Sequence, residues 1–261
     1  MPTVGGLFYA TYGPADGDAL ILSAGLGGSG GYWAPNIPAL AARYRVIAYD
    51  HRGTGKSERD SAPPADVDAM ADDILALMDG LGIERAHVMG HAAGGVMGLS
   101  LALRAPERLG KLIVVNGWSK PDAHFARCFD VRLALLRDSG VEAYVRAQPI
   151  FLFPAAWISE NSDRLDAEAV GHVAHFQAVS MLEARIAALR AFDIDDRLGE
   201  IGIPVLALAA EDDMLVPAPC SHRLAAGMPN ATLASMQWGG HACNVTKQDD
   251  FDHIVLDWLR S

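Results

Sequence analysis

A glycine-rich turn at GHAAGG, residues 90 to 95, is the first stretch whose composition could serve catalysis. It follows the apolar run AHVM and leads into VMGLSLALRA, which predicts a strand, a sharp turn and a helix. In a G-x-S-x-G motif the same turn presents a nucleophilic serine at its third residue. That position holds Ala92. An alanine methyl group cannot attack a carbonyl, so the sequence puts any acyl-enzyme mechanism in doubt.

Two polar residues nearer the C-terminus could move protons. Asp213 lies in EDDMLVP after the apolar run PVLALAA, and His241 follows two glycines in QWGGHACNV. An imidazole held in one tautomer by a carboxylate is a general acid and base, worth typically about 10²- to 10⁴-fold in rate. Asp212 is an alternative acid. Cys243 is an alternative nucleophile, although a lone cysteine is more often a small buried apolar group.

Two further motifs resemble phosphate-binding loops. GLGGSG at 25 to 30 matches G-x-G-x-x-G, with Asp50 at the distance of a ribose-binding acid. Pro35 and Pro38 follow it and delay the regular helix that should receive a pyrophosphate, so we do not expect nucleotide binding. GTGKS at 53 to 57 lacks the earlier glycine of a P-loop, because Asp50 stands in that place.

The elements that must position these residues alternate along the chain. Near-continuous apolar runs predict strands that are covered on both faces, hence a mostly parallel sheet with helices on either side. These runs lie at 19–24, 45–50, 86–90, 111–116, 204–210 and 231–236, and FYATYG near the start predicts an antiparallel edge strand. Apolar residues at helical spacing predict helices at 66–81, 94–105, 218–227 and 248–260.

The strand pattern stops between residues 118 and 197, where DVRLALLRDSG, VEAYVRA and MLEARIAALRAF predict consecutive helices. We interpret this segment as a helical cap inserted into one α/β core. The core then comprises residues 1–117 and 198–261, and the cap comprises residues 118–197.

The composition excludes several classes of function. The net charge of −11 without a basic stripe disfavours nucleic acid, and an anionic substrate would need local cations. The start of the chain has no secretory pattern and no apolar run of about 18 residues is present, so we expect a cytoplasmic protein that does not span a membrane. The three cysteines fit neither a disulfide framework nor zinc spacing, and we expect no metal and no cofactor. The sequence leaves open whether the chain forms a homodimer.

Taken together, the motifs resemble the α/β-hydrolase family, whose members carry nucleophile, acid and histidine in that chain order. The resemblance implies an α/β-hydrolase fold with the nucleophile position at Ala92, the acid at Asp213 and the histidine at His241. It also implies an oxyanion hole built from the backbone N–H groups of Leu26, in AGLGGSGGYW, and Ala93. YDHRGTGKS at 49 to 57 follows the next strand as in this family.

Within that family the chain resembles the α/β-hydrolases of pyrimidine degradation, in which alanine also occupies the elbow. The segments that carry this resemblance are GLGGSGGYW, YDHRGTG, GHAAGG, VNGW at 115–118, CFDVR at 128–132, AQPIFLFPAAW at 147–157, AHFQ at 174–177 and GGHACNVT at 239–246. The resemblance implies hydrolysis of a small anionic product of uracil breakdown, carbamate or 3-aminoacrylate, with release of ammonia. Neither reaction needs a serine ester.

Candidate substrate-binding residues lie where the cap begins. Lys120 and Arg127 are candidate cations for an anionic substrate, although both could be solvated residues of the cap, and Trp118 and His124 are candidates to line the pocket. Two alternatives to a hydrolase without serine remain at this point. The first is a pseudoenzyme that binds a metabolite or partner without turnover, and the second is an esterase whose natural serine was replaced by Ala92.

Overall fold

The computed structural model describes residues 2–261 and contains one eight-stranded sheet. The order of strands is β1-β2-β4-β3-β5-β6-β7-β8; β1 and β2 pair antiparallel, as do β2 and β4, and the other pairs are parallel. The strands are β1 Thr3–Val4, β2 Leu7–Tyr12, β3 Ala19–Ser23, β4 Arg45–Tyr49, β5 Ala86–His91, β6 Leu109–Val115, β7 Val205–Ala210 and β8 Ala231–Met236.

Eleven α-helices accompany the sheet within residues 2–261. They are α1 Ile37–Ala41, α2 Val67–Gly80, α3 Ala93–Arg104, α4 Ala123–Ala134, α5 Gly140–Leu152, α6 Ala155–Glu160, α7 Ser162–Ala174, α8 Val179–Ala191, α9 Pro219–Gly227, α10 Cys243–Thr246 and α11 Gln248–Arg260. Side chains cap two of them, since Asp66 accepts the N–H of Ala69 and Asp122 accepts that of His124. None of these helices is long and apolar enough to cross a membrane.

Two hydrophobic clusters lie on the two faces of the sheet. The first cluster contains side chains from one face of strands β3 through β7, together with α2, α3 and the cap helices. The second contains side chains from the other face of the sheet, together with α1 and α11. The central strands are buried on both faces, which explains their unbroken apolar runs. Phe251 of α11 is fully buried near Trp33, and truncating such a side chain to alanine typically costs about 3–5 kcal/mol.

The segment between β6 and β7 contains helices α4 to α8 and no strand within the described residues. A π-helical turn at Leu135–Ser139 separates α4 from α5, and a 3₁₀ helix at Asp195–Glu200 leads back towards β7. The cap contacts the loop of the predicted histidine directly, because the N–H of Ala242 donates to the carbonyl of Leu152 at 2.9 Å.

One expectation about the sheet is wrong. The segment FYATYG forms β2 and is antiparallel as predicted, but it is not the edge strand, because β1 pairs with its outer side. A strand of two residues, Thr3–Val4, is too short to show period-2 alternation, so its sequence gives no signal.

Candidate active site

The turn between β5 and α3 holds Ala92 in a backbone conformation that favours glycine, with φ 47° and ψ −107°. Such a conformation costs a non-glycine residue on the order of 1–3 kcal/mol. A hydrogen bond to the end of β6 fixes the turn, since the N–H of Ala92 donates to the carbonyl of Val115 at 2.8 Å. Gly94 lets α3 approach β3 closely, because a Cβ there would lie 2.2 Å from the carbonyl oxygen of Ser23.

His241 and Asp213 form a buried pair. The Nδ1 of His241 lies 2.7 Å from Oδ2 of Asp213, and both side chains are almost completely enclosed. The other carboxylate oxygen, Oδ1, accepts the backbone N–H groups of Leu215 and Val216 at 2.7 and 2.9 Å. The carboxylate therefore holds a proton on Nδ1 and leaves Nε2, which makes no hydrogen bond within residues 2–261, for a ligand.

Asp212 is not the partner of His241. Its Oδ1 accepts the backbone N–H of Gly240 at 2.8 Å, and the residue is exposed. Adjacent aspartates thus divide two tasks: Asp213 orients the imidazole, and Asp212 fixes the glycine turn before it.

Two side chains that the sequence analysis did not select hold the backbone of His241. Its carbonyl accepts Nε2–H of His91 at 2.8 Å and Nδ2–H of Asn116 at 2.9 Å. Asn116 adopts φ 49° and also accepts the N–H of Ala210 at 2.9 Å, so it ties β6 to β7 and to the histidine loop. His91 and Asn116 stand in GHAAGG and VNGW, the sequence segments quoted above.

The His91 ring is a neutral donor in this arrangement. Burial lowers the pKa of His91 well below its ordinary value, the proximity of His241 lowers it further, and the bond to the His241 carbonyl opposes both. Since Nε2 carries the proton, Nδ1 is an acceptor, and it has no hydrogen-bond partner. A Cβ on Gly25 would lie 2.8 Å from this Nδ1, so the glycine loop passes directly beside the ring.

The backbone N–H groups of Leu26 and Ala93 make no hydrogen bond within the described chain. Ala93 is the first residue of α3, whose initial N–H groups have no helical partner. The carbonyl oxygen of Leu26 holds this loop in place, because it lies 3.4 Å from Nη1 of Arg185 and 3.4 Å from Nε2 of Gln177. Both predicted oxyanion-hole donors are therefore free.

The cap residues proposed to bind substrate divide into two groups. Trp118 is buried against Phe125, with an enclosed indole N–H that has no partner. His124 is exposed, and its Nε2 donates to the carbonyl of Met214 at 2.6 Å, beside the acid.

The two predicted cations for substrate, Lys120 and Arg127, have different surroundings in the structure. Nζ of Lys120 lies 2.5 Å from Oδ2 of Asp195, and this bond and that from Ser119 lower the pKa of the Asp195 carboxyl. Arg127 is exposed on α4 and donates to the carbonyl of Ala123, one turn earlier in its own helix. The charge of Lys120 is already paired, and the arginine faces solvent.

The alternative motifs have structural explanations. The chain after GLGGSG forms a 3₁₀ helix at Gly30–Trp33, and Asp50 is occupied by the N–H groups of Gly30 and Lys56 at 2.8 Å each. Cys243 is fully buried; its burial raises the thiol pKa to about 12, and the charge of Asp213 adds to this. A thiolate nucleophile is therefore disfavoured at this position.

Two arginines, Arg132 and Arg185, are nine-tenths buried in the cap, and the sequence analysis selected neither. Their sequence signal was weak, because an arginine on an amphipathic helix usually faces solvent. Burial lowers the pKa of Arg185 to about 10, against the charges of Tyr49 and Asp73.

The elbow, the buried histidine–aspartate pair and the free amides on a mostly parallel sheet define an α/β-hydrolase. A family model described as alpha/beta hydrolase fold matches residues 18–148. Among solved structures, an enol-lactonase from Burkholderia xenovorans LB400 aligns with TM-score 0.89 and 26% identity over 99% of this chain and 98% of its own. A hydrolase from Pseudomonas aeruginosa PA01 aligns with TM-score 0.88 and 28% identity over 98% and 94%.

Curated relatives show to which group within the α/β-hydrolase family the chain belongs. A protein of Caulobacter sp. (strain K31) is 57% identical over 98% of this chain and 97% of its own length, and one of Rhizobium rhizogenes (strain K84 / ATCC BAA-868) is 53% identical over 94% of each. Both bear the name "Putative carbamate hydrolase RutD". The chain belongs to the RutD group of the α/β-hydrolase family.

Proposed function

We propose that this protein is a hydrolase of pyrimidine catabolism that releases ammonia from carbamate or 3-aminoacrylate by general acid and base catalysis. One observation carries the proposal: the protein has a complete His241–Asp213 dyad, but the position of the nucleophile holds the methyl group of Ala92. A site that keeps its proton-transfer groups without a nucleophile suits substrates that need protons and water but no covalent intermediate. The relatives named for carbamate hydrolysis support this substrate class.

For carbamate, the required step is protonation at nitrogen. The imidazolium of His241 delivers a proton to the amino group, the C–N bond breaks, and its electron pair leaves with nitrogen. Carbamate anion and one proton thus give ammonia and carbon dioxide. Asp213 stabilises the positive charge on the ring before transfer, and the amides of Leu26 and Ala93 can donate to a carboxylate oxygen.

For 3-aminoacrylate, the proton goes to carbon. Protonation at C2 produces the iminium form of 3-iminopropanoate, and His241 as a base then activates a water that attacks C3. Proton transfer to nitrogen expels ammonia and leaves 3-oxopropanoate. The same ring acts first as acid, when its imidazolium form gives up the Nε2 proton, and then as base, when the neutral imidazole that Asp213 holds in one tautomer takes a proton from water.

The deciding experiment compares ammonia release by the parent and by His241→Ala on freshly generated carbamate and 3-aminoacrylate. We expect the variant to lose about 10²- to 10⁴-fold in kcat/KM on the true substrate. His253→Ala is the matched control, since His253 is an exposed histidine on α11. If the parent does not accelerate either decomposition, or if His241→Ala equals the parent, the protein is a binding protein and the proposal fails.

A further inference from the structure

Arg132 on cap helix α4 is a buried cation without an anionic partner. Its side chain is nine-tenths buried or more, and no carboxylate oxygen within residues 2–261 lies within ion-pair distance of it. The cost of burying a charge is large unless the charge is paired. A protein with net charge −11 has 32 acidic residues available, so the lack of a partner here is a property of this site.

The surroundings of Arg132 hold the guanidinium without neutralising it. The rings of Phe129, Tyr144 and Phe151 lie 5.0, 5.4 and 5.6 Å from its central carbon, close enough for cation–π attraction. Nη2 donates to the hydroxyl of Tyr144 at 3.0 Å and to Oε1 of Gln148 at 2.6 Å. The amide of Gln148 is oriented by its own bond to the carbonyl of residue 144 at 3.1 Å.

The remaining donors of Arg132 are unused. Nε is enclosed and has no hydrogen-bond partner. Nη1 makes no hydrogen bond to the described residues either, but it is not fully enclosed. Arg185, the other buried arginine, differs: its Nη groups donate to the carbonyls of Leu26 and Arg52 and to Gln177. Of the two buried arginines, Arg132 therefore has the freer guanidinium.

Arg132 is surrounded by segments that continue into the catalytic loops. One helical turn before it, Sγ of Cys128 lies 3.7 Å from the carbonyl of Met214, the residue after Asp213. Phe151, which lies against the guanidinium, is followed by Leu152, whose carbonyl accepts the N–H of Ala242 beside His241. Burial raises the thiol pKa of Cys128, the charge of Arg132 opposes this rise, and the charge of Asp213 adds to it, so the thiol lies within range of both charges.

We infer that Arg132 is the substrate-binding cation of this site and that it binds the carboxylate of a small monocarboxylate through the free donors of its guanidinium. The inference rests on the proposed function, because both candidate substrates carry a carboxylate. It adds a buried cation to the two predicted candidates, Lys120, which is paired with Asp195, and Arg127, which is exposed. The aromatic rings keep the guanidinium in place between turnovers, and an incoming anion completes its hydrogen bonding.

Binding of small monocarboxylates that carry no amino group tests this without turnover. We expect acrylate and propanoate to bind the parent, and acrylamide to bind far more weakly. Arg132→Gln should weaken acrylate binding by about 10- to 100-fold and leave acrylamide unchanged, since a hydrogen bond to a charged group contributes about 1.5–3 kcal/mol. Arg146→Gln is the control, because Arg146 is an exposed arginine of α5 paired with Glu142.

A second measurement avoids dependence on a variant that fails to fold. In the parent labelled with ¹⁵N-arginine, titration with acrylate should shift the Nε–H resonance that is absent from Arg132→Lys. Equal acrylate binding by Arg132→Gln and the parent, or no acrylate binding by the parent, would overturn the inference. Turnover that depends on His241 but has an unchanged KM in Arg132→Gln would refute this role and leave the proposed function standing. If acrylate binding depends on Arg132 but the protein turns over neither candidate substrate, the role of Arg132 stands and the proposed function fails.

Discussion

His91, the residue before Ala92, donates a hydrogen bond of 2.8 Å from Nε2 to the backbone carbonyl of His241. The two rings also meet edge to face, with centroids 4.5 Å apart. The elbow and the histidine loop are thus joined by a direct contact, although 150 positions separate them in the chain. Asn116 donates to the same carbonyl, so the backbone of His241 is held from the last residue of β5 and from the residue that follows β6.

We therefore predict that His91 is a positioning residue. His91→Phe keeps a ring but loses the donor, and kcat should fall about 3- to 10-fold with little change in KM, as one hydrogen bond contributes about 0.5–1.5 kcal/mol. His91→Gln, which retains an N–H donor, should recover part of the loss. Steady-state kinetics on carbamate and on 3-aminoacrylate provide the measurement. A change confined to KM would contradict this role.

Replacing the acid should separate the two neighbouring aspartates. Asp213→Asn removes the charge that orients His241 and stabilises its protonated form, so kcat/KM should fall about 10²- to 10⁴-fold. Asp212→Asn keeps an oxygen that can accept the N–H of Gly240, and its loss should be far smaller. Ammonia release by both variants checks this, and equal losses would contradict the assignment of Asp213.

Ala92→Ser should convert the site towards ester hydrolysis. The turn already has the strained geometry, with φ 47°, and the dyad and free amides are present. We expect turnover of a nitrophenyl acetate above the parent level, and labelling of the variant but not the parent by a serine-directed fluorophosphonate. The double variant Ala92→Ser with His241→Ala is the control and should lose this gain. Labelling of the parent would mean that another serine is the nucleophile.

The three cysteines should be unreactive in the folded protein. Burial raises the thiol pKa of Cys128, of Cys220 to about 11 and of Cys243 to about 12. At pH 8 the reactive thiolate is therefore scarce, and access is also restricted. A chromogenic disulfide reagent should report no fast-reacting thiol in the native protein and three in denaturant. Rapid native labelling at Cys243 with loss of activity would reinstate it as a nucleophile.

Stability should fall as pH rises from about 4 to 7 through Asp252 in α11. Burial raises the pKa of this carboxyl from 3.8 to about 6, despite the bond from Asn36. Between these values the folded chain holds a proton that the unfolded chain has lost, so raising the pH favours unfolding. The contribution of Asp252 is on the order of 2–3 kcal/mol, at about 1.4 kcal/mol for each pKa unit.

Asp252→Asn should remove this contribution and raise the free energy of unfolding at pH 7.5 while changing it little at pH 4. Urea denaturation at the two pH values measures both, with Asp250→Asn, an exposed residue of the same helix, as the control. A parallel shift at both values would contradict the raised pKa.

Local pattern determined much of this protein. Continuous apolar runs predicted strands β3 to β8, and β3 to β7 follow the expected reason, because a strand covered on both faces has no polar side to interrupt the run. The edge strand β8 is largely exposed in spite of its apolar run. Glycines and the order of motifs located the elbow, the acid loop and the histidine loop. β1 escaped prediction, because two residues carry no periodicity.

Only the tertiary structure decided which side chains meet at the site. The order of residues in the chain favoured Asp213 but could not show which of the two aspartates contacts the imidazole, because adjacent residues in a turn point in different directions. In the structure Asp213 contacts His241, and Asp212 accepts the N–H of Gly240. Lys120 lay at the expected cap entrance but found Asp195, 75 positions away. Arg132 was left inside without an acid. Partners distant in the chain set the pairing and burial of a charge, and no local pattern encodes them.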